Sequence, residues 1–230
     1  MSRHIAAIVR HGEYNQLPDV PSAHQPFSLT DEGREQAESG ARELLETLKE
    51  NGWSIDPTID CSQMLRAWQT AQVVSEVCGA TTLESFDALA ERGLGCAANL
   101  TIAQIEDILG DDPRHAAPPP NWKSDSHYRL PLQGAESLLE AGHRVAGHMM
   151  GRMSELTDSG GGGKPVKIFV GHGAALRHAA FHLGVLKFEQ IAGLSMHHGR
   201  PVFLETATDG PWRHVAGKWK VRHPGDQARD

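Results

Sequence analysis

The chain has 230 residues, of which 39% are hydrophobic and 22% are charged, and it carries a formal net charge of −7 at pH 7. This composition is typical of a globular protein that buries its core as one domain. The negative charge argues against a nucleic-acid-binding protein, which would usually present a basic face, although it leaves room for a small basic pocket.

The cysteines and the hydropathy pattern indicate the cellular compartment of the protein. Cys61, Cys78 and Cys96 form no CxxC pair, and their odd number suits a reducing compartment better than a disulfide framework. No segment approaches the ~18 consecutive apolar residues of a membrane span, and the N-terminus lacks the apolar core of a signal peptide. We therefore expect a cytoplasmic protein with neither a membrane nor a nucleic-acid partner.

Apolar strands alternate with amphipathic helices through most of the chain. Strands are predicted at residues 5–9, 58–61, 83–89, 166–170, 202–205 and 214–218, and helices at residues 31–51, 65–78, 136–156 and 174–183. Thr30 is placed to cap the first helix, and Asp31 and Glu32 in the first turn favour the positive end of its dipole. The alternation predicts a three-layer α/β/α sandwich.

The segment at about residues 92–133 differs from the rest. It holds one short helical pattern of apolar residues, and then the consecutive prolines 118–120, which cannot join a helix or a central strand. Because it has too few apolar residues for a core of its own, we interpret it as a lid-like insertion. The chain is then a single domain spanning residues 1–225, followed by a polar tail at residues 226–230.

Two predicted strands each end in a histidine. The first strand runs into Arg10 and His11, and the strand at residues 166–170 runs into His172 and Gly173. Such ends place imidazoles at the carboxyl edge of the sheet, where open α/β folds keep their ligands. One such histidine could be exposed by chance, but two of them, one beside an arginine, predict a site for an anion such as phosphate.

Two further charged residues follow predicted strands. Arg66 comes soon after the strand at residues 58–61 and could form, with Arg10, a fork for phosphate oxygens, which guanidinium groups fit geometrically. The alternative is an exposed helix arginine. Glu91 follows the strand at residues 83–89, and the residues alone favour an ordinary surface glutamate.

Two patterns that suggest other chemistry are incomplete. Residues 160–163 and Lys164 resemble the end of a P-loop, but Asp158 and Pro165 stand where glycine and Ser or Thr are required, so we predict a flexible link. The fourteen histidines include no HExxH or similar spacing, so we expect no metal and no cofactor.

In order and spacing, the chain resembles the histidine phosphatase superfamily, the group that includes cofactor-dependent phosphoglycerate mutase. The matching positions are Arg10-His11-Gly12-Glu13, Leu29-Thr30 with Gly33, Gln36 and Ala37, Ser62 with Arg66-Ala67 and Gln69-Thr70-Ala71, Glu91, Gly134-Ala135-Glu136-Ser137, and His172-Gly173. The resemblance implies a phosphoglycerate mutase-like fold with a mixed, mostly parallel sheet.

The same resemblance implies roles for the site residues. It makes His11 the nucleophile that becomes a phosphohistidine and Glu91 the proton donor to the leaving group. The implied phosphate pocket consists of Arg10, Arg66, His172 and Gly173. Arg10, Arg66 and His172 would act as cationic donors that offset charge on the phosphoryl oxygens during catalysis.

Several positions depart from the mutases of this family. Aligned on the three prolines, Asp112 and Pro113 occupy the place of the arginine pair that grips the substrate carboxylate in mutases, with only Arg114 nearby. Leu94 stands in the place of a mutase tyrosine, and Ala174 in the place of an asparagine. These differences argue against glycolytic mutase activity.

We therefore predict a phosphatase that hydrolyses phosphomonoesters through His11. The expected substrate is a phosphorylated small molecule, with a phosphoprotein as the alternative, because the chain also resembles the branch of the family that dephosphorylates phosphoproteins. A 2,3-bisphosphoglycerate-dependent mutase and a catalytically idle phosphate-binding module remain as rivals, although a pure binder has no use for an acid at Glu91. The candidates for substrate specificity, each of which could equally be a solvated surface residue, are Tyr14, Asn15, Arg114 and Arg129.

Overall fold

The computed structural model describes residues 3–21, 24–80, 82–156, 163–207 and 210–223. The strands are β1 (Arg3–Arg10), β2 (Trp53–Ser62), β3 (Thr82–Phe86), β4 (Lys164–Gly171), β5 (Leu194–Ser195), β6 (Pro201–Ala207), β7 (Arg213–Gly217) and β8 (Lys220–Val221). The helices are α1 (Asp31–Asn51), α2 (Leu65–Cys78), α3 (Ile102–Asp111), α4 (Leu138–Ser154), α5 (Gly173–His182) and α6 (Phe188–Ile191). The short elements β5, β8 and α6 were not predicted, and the predicted tail and most of the predicted glycine link lie outside the described residues.

Six strands form one mixed sheet in the order β3-β2-β4-β1-β6-β7. β1 pairs in parallel with β4, and β2 pairs in parallel with β3 and β4, whereas β6 runs antiparallel to β1 and β7 to β6. Arg10 lies opposite Gly171, and Val9 lies opposite Pro201. The end of β1 is therefore level with the end of β4 and the start of β6, at one edge of the sheet.

Helices cover both faces of the sheet, which explains why its central strands are apolar throughout. Ile5, Ala7 and Val9 of β1 pack in one cluster with α1 and α2, while Ala6 and Ile8 pack in a second cluster with α4 and α5. The fold is a three-layer α/β/α sandwich, as predicted. No helix in the described part of the chain is long and apolar enough to cross a membrane.

Capping side chains determine where two of these helices begin. The Thr30 hydroxyl accepts the Gly33 N–H at 3.0 Å, and Gly52 ends α1 in the left-handed conformation with φ of 64°. At the start of α4, the Ser137 hydroxyl accepts the Glu140 N–H at 3.1 Å, and the Glu140 carboxylate accepts the Ser137 N–H at 2.7 Å. This capping box fixes the start of α4 directly after the insertion.

The insertion packs more tightly than its composition indicates. Six of its residues, Leu94, Ala97, Ile105, Leu109, Trp122 and Leu130, form a buried cluster together with Ala135, which lies just beyond it. The expectation that this segment has too few apolar residues for a core of its own is therefore wrong. Trp122 is the largest buried side chain of this cluster, and its indole N–H donates to the Glu106 carboxylate at 3.0 Å, so its polar atom is satisfied.

Asp60 is a buried charge between β2 and α4. Its carboxylate lies 3.0 Å from His148 Nε2, 2.8 Å from Arg152 Nε and 2.8 Å from Lys167 Nζ. Burial alone would raise the pKa of Asp60, but the hydrogen bonds from His148, Arg152 and Lys167 lower it to about 2. The ionised carboxylate therefore stabilises the folded state.

We expect Asp60→Asn to lower the free energy of unfolding by about 3 kcal/mol at neutral pH, because the buried Lys167 and the half-buried Arg152 would lose the anion that they share. The carboxyl pKa is lower in the folded chain than in the unfolded chain, so the wild type loses this stabilisation as the pH falls from 3.8 towards about 2. Urea unfolding at neutral pH and near pH 3 should show the two proteins converging. Glu38→Gln, in the exposed pair with Arg42, is the control and should change little. A difference between wild type and Asp60→Asn that is independent of pH would contradict the assignment.

Candidate active site

The carboxyl edge of the sheet brings His11 and His172 together. His11 directly follows β1 and His172 directly follows β4, and the His11 N–H donates to the Gly171 carbonyl at 3.0 Å. The centroids of the two rings are 5.1 Å apart, and both residues are buried. The two predicted strand-end histidines therefore share one site.

A backbone carbonyl fixes the tautomer of His11. Its Nδ1 lies 2.7 Å from the Gly12 carbonyl oxygen. Because a carbonyl only accepts, Nδ1 carries the proton and donates it. Nε2 keeps its lone pair and accepts the Nε–H of Arg66 at 3.2 Å. The unprotonated nitrogen, the atom that a nucleophilic role requires, thus faces the guanidinium group.

Arg66 connects the two histidines. Arg66 is 0% exposed. Besides the bond to His11, its guanidinium group donates to His172 Nδ1 at 3.1 Å and to the Gln25 carbonyl at 2.9 Å. A guanidinium group only donates, so His172 Nδ1 accepts and its Nε2–H donates to the Ser62 hydroxyl at 2.9 Å. Ser62 at the end of β2 therefore orients the His172 ring, and Arg66 in the first turn of α2 orients both rings.

Both histidines are neutral at pH 7. Burial, followed by the positive charge of Arg66, lowers the pKa of His11 and the pKa of His172 well below their ordinary value, and Arg10 acts in the same direction. We predicted His172 as a third cation of the site; burial beside the two guanidinium groups lowers its pKa and opposes the imidazolium form. The positive charge of the site resides on Arg10 and Arg66.

Arg10 and Gly173 lie at the same edge of the sheet. Arg10, the last residue of β1, is buried, and its Nη1 donates to the Met196 carbonyl at 3.2 Å. Gly173 is the first residue of α5 and is also buried. The positive end of the α5 dipole therefore lies directly beside His172. The structure thus brings together all the residues predicted to bind phosphate.

Glu91 is a buried residue and not a surface glutamate. It is 5% exposed, and its carboxylate accepts the N–H groups of Arg92 at 2.9 Å, Ala175 at 3.0 Å and Ala174 at 3.2 Å. Ala174 and Ala175 belong to the first turn of α5, whose dipole favours an anion at that end. Since His172 is the N-cap residue of α5, Glu91 and His172 flank the same helix end.

Tyr14 and His198 pack against the His11 ring. The Tyr14 ring lies edge-on at 5.4 Å, and the Arg66 guanidinium carbon lies 4.5 Å from the centroid of the same ring. His198 Nδ1 donates to the His11 carbonyl at 2.7 Å, with the two rings 5.6 Å apart. His198 was not predicted, because it precedes β6 and only the antiparallel pairing of β6 with β1 brings it to this edge.

The loop over the site is held by Gln25, a second residue that was not predicted. Gln25 is buried, and its side-chain amide accepts the Leu17 N–H at 2.8 Å and donates to the Val20 and Pro21 carbonyls at 3.2 and 3.3 Å. The backbone carbonyl of Gln25 accepts from Arg66, so this hydrogen bond joins the loop to Arg66. No pattern in the sequence distinguishes this glutamine from an ordinary loop residue.

The other candidates for substrate specificity make different contacts. The Asn15 amide donates to the Ser28 carbonyl at 3.2 Å. Arg114 and Arg129 have exposed side chains, and they pair with Asp112 at 2.7 Å and Glu140 at 3.2 Å. Among the contacts of the described residues, the Tyr14 ring contacts His11. The contacts of Asn15, Arg114 and Arg129 are with other residues.

The charges at this edge favour an anion. Arg10 and Arg66 are buried cations, and the backbone N–H groups at the start of α5 are directed to the same end of the sheet. Across the described ranges, no group of three or more His, Cys, Asp or Glu side chains is placed to hold a metal ion. A phosphoryl group fits the donors that are present, next to an unprotonated imidazole nitrogen.

The sequence matches known proteins over nearly its whole length. The family model of the histidine phosphatase superfamily (branch 1) matches residues 6–217. A 2,3-bisphosphoglycerate-dependent phosphoglycerate mutase from Parvibaculum lavamentivorans is 28% identical over 210 residues, which cover 90% of this chain and 92% of the relative.

Solved structures share the fold. A protein described as mycobacterial hydrolase 1 has a TM-score of 0.69 and 21% identity, covering 93% of this chain and 97% of its own. The mycobacterial glucosyl-3-phosphoglycerate phosphatase has a TM-score of 0.66 and 21% identity, covering 92% of this chain and 97% of its own. The family match includes both strand-end histidines and the residues that surround them, and the chain belongs to branch 1 of the histidine phosphatase superfamily.

Proposed function

We propose that the protein is a phosphatase that hydrolyses a small phosphomonoester through a phosphohistidine on His11. The protonation of the His11 ring carries the proposal: Nδ1–H is bound to the Gly12 carbonyl, and the unprotonated Nε2 faces Arg66. A neutral imidazole nitrogen in this place is arranged to attack a phosphorus atom whose oxygens the guanidinium group binds.

The reaction proceeds in two steps. In the first, His11 Nε2 forms a bond to phosphorus while the ester P–O bond breaks, and Glu91 gives a proton to the departing oxygen. Arg10 and Arg66 offset the charge on the phosphoryl oxygens. In the second, water attacks phosphorus and gives its proton to the Glu91 carboxylate, and the P–N bond breaks to release phosphate and neutral His11.

Three positions support hydrolysis over mutase chemistry. Where the mutases that resemble this chain have an arginine pair for the substrate carboxylate, Asp112 is itself bound by Arg114. Leu94 is buried in the cluster of the insertion, and Ala174 offers Glu91 only a backbone N–H. Phosphoglycerate mutase activity is the second candidate, and the 28% identity to a named mutase favours it.

The names of the relatives support a small-molecule substrate. The Parvibaculum mutase and the mycobacterial phosphatase are both named for phosphorylated small molecules. A phosphoprotein is the alternative substrate class.

Phosphate release from a panel of phosphorylated metabolites and phosphopeptides tests the proposal. We expect turnover of at least one small phosphomonoester without any added bisphosphate. A parallel assay follows the interconversion of 3-phosphoglycerate and 2-phosphoglycerate with and without 2,3-bisphosphoglycerate. Interconversion that requires the bisphosphate would establish a mutase instead. Calorimetric binding of the panel compounds without turnover would establish a phosphate-binding module.

Glu91→Gln should slow the hydrolysis of an alkyl phosphate by about a hundredfold and that of an activated aryl phosphate by much less. An alkoxide needs a proton as it leaves, whereas an activated aryl oxide does not. The amide oxygen of glutamine can still accept N–H groups of α5, so the fold should be retained. The measurement is kcat for both esters, and equal losses would mean that Glu91 is not the acid.

A further inference from the structure

Glu91 lies at the neck of the insertion, where the two ends of residues 92–133 meet. The Glu136 N–H donates to the Gly93 carbonyl at 2.8 Å, and the Gly93 N–H donates to Glu136 Oε2 at 2.9 Å. Leu94 and Ala135 form an isolated antiparallel bridge directly beside these bonds. The backbone that follows Glu91 is therefore attached to the residues that precede α4.

The Arg144 side chain, on α4, holds the backbone on the other side of Glu91. Its Nε and Nη2 donate to the two carboxylate oxygens of Glu136 at 2.9 and 2.7 Å. Its remaining hydrogen bonds go to four carbonyl oxygens, those of Asp87 at 3.2 Å, Ala88 at 3.0 Å, Ala90 at 3.1 Å and Glu91 at 3.4 Å. The guanidinium group thus binds the carbonyls that lead up to and include Glu91.

The Asp87 carbonyl also accepts the Ala90 N–H at 2.9 Å, whereas the carbonyls of Ala88, Ala90 and Glu91 receive hydrogen bonds from Arg144. Residues 87–89 form only a single 3₁₀ turn after β3. Arg144 supplies the N–H groups, and Glu136 fixes the orientation of Arg144 through a two-point pair. The Arg144 and Glu136 side chains are each 27% exposed, so the pair is half-buried and its geometry is constrained by packing.

We propose that Arg144 and Glu136 are positioning residues that hold the Glu91 carboxyl where the leaving oxygen needs its proton. This inference rests on the proposed function, in which Glu91 is the acid. Proton transfer requires heavy atoms within hydrogen-bond reach, and a displacement of about 1 Å can cost a large factor in rate. Arg144 and Glu136 act through the backbone of Glu91 and not on the reacting atoms themselves.

Arg152 provides a matched control on the same helix. It lies about two turns further along α4, its side chain is 24% exposed, and it binds Asp60, Glu84 and Glu155. Arg152 is therefore about as buried as Arg144 and also forms ion pairs. Its partners lie in β2, in β3 and at the end of α4, and not in the segment around Glu91. Its loss should destabilise the fold without a specific effect on proton transfer.

The test compares Arg144→Gln, Glu136→Gln and Arg152→Gln on an alkyl phosphate and an activated aryl phosphate that the wild type hydrolyses. We expect Arg144→Gln to lower kcat by about tenfold to a hundredfold for the alkyl ester and by less than about threefold for the aryl ester. Glu136→Gln should show the same preference with a smaller loss. Arg152→Gln should lower Tm and leave the ratio of the two rates unchanged.

A double variant separates positioning from general destabilisation. In the Glu91→Gln background, Arg144→Gln should cause little further loss on the alkyl ester, because the acid that it positions is already absent. If Arg144→Gln folds poorly, Arg144→Lys keeps the charge opposite Glu136 but only part of the carbonyl contacts, and an intermediate alkyl-ester defect is expected. Tm measured for every variant identifies losses that come from unfolding.

Equal losses on both esters, or a full additional loss in the Glu91→Gln background, would overturn the positioning role. That result is distinct from a failure of the proposed acid. If Glu91→Gln itself slows both esters equally, Glu91 is not the proton donor, and the inference falls together with that part of the proposed function.

Discussion

Protein quenched rapidly during turnover should carry phosphate on His11, in a linkage that is labile to acid and stable to base, as a phosphoramidate is. His11→Asn should abolish this label and lower kcat by about 10⁴-fold or more, because no other side chain replaces the attacking Nε2. Asparagine keeps a side-chain N–H that can approach the Gly12 carbonyl, so the variant should remain folded. Mass spectrometry of the quenched protein locates the label.

His172→Asn is the matched comparison for the labelling experiment. It removes the second imidazole of the site but not the nucleophile, so labelling should persist while turnover slows by about a hundredfold. A label on His172 that survives the loss of His11 would reverse the two roles. A turnover reaction without any trapped label in the wild type would favour direct attack by water.

Arg66→Lys is expected to lower kcat/KM by about a thousandfold although the charge is kept, a loss of about 4 kcal/mol in transition-state stabilisation. One guanidinium group donates to His11, to His172 and to the Gln25 carbonyl, and a single ammonium cannot reach all three in the same directions. Steady-state kinetics on the preferred substrate gives the value.

Arg42→Lys, in an exposed pair on α1, is the control for this substitution and should leave kcat/KM unchanged. Far-UV circular dichroism and Tm should show that Arg66→Lys is folded. Retention of more than about a tenth of the wild-type kcat/KM would mean that charge alone, and not the three-way hydrogen bonding of Arg66, is what the site requires.

The part of the site that could be predicted from sequence is the part built on parallel strands. In an α/β fold, apolar runs that end in His11 and His172 predict that the two histidines lie close together, because the carboxyl ends of parallel strands meet at one edge of the sheet. The same reasoning predicted Arg66 at this edge, because Arg66 lies in the first turn of the helix that follows β2. The start of α1 was predictable for a related reason, because the Thr30 cap is a local interaction.

The remaining features depend on contacts between distant segments. His198 reaches His11 only because β6 runs antiparallel to β1, and hydropathy does not reveal strand direction. Residues near Glu91 carry no pattern that indicates a bond to the start of α5. The core of the insertion was missed because it depends on Trp122 and on residues from both ends of the segment.

β1 and β4 are neighbours in the sheet although about 160 residues separate their pairing positions along the chain. Contacts between such distant segments form late in folding, because the entropy of closing a long loop must be overcome first. During synthesis, the nascent chain already carries His11, Arg66 and Glu91 when more than half of it has emerged, but it has no site until β4 and His172 follow. The site should therefore be complete only when the sheet is complete, because the pairing of β4 with β1 is what brings His172 to His11.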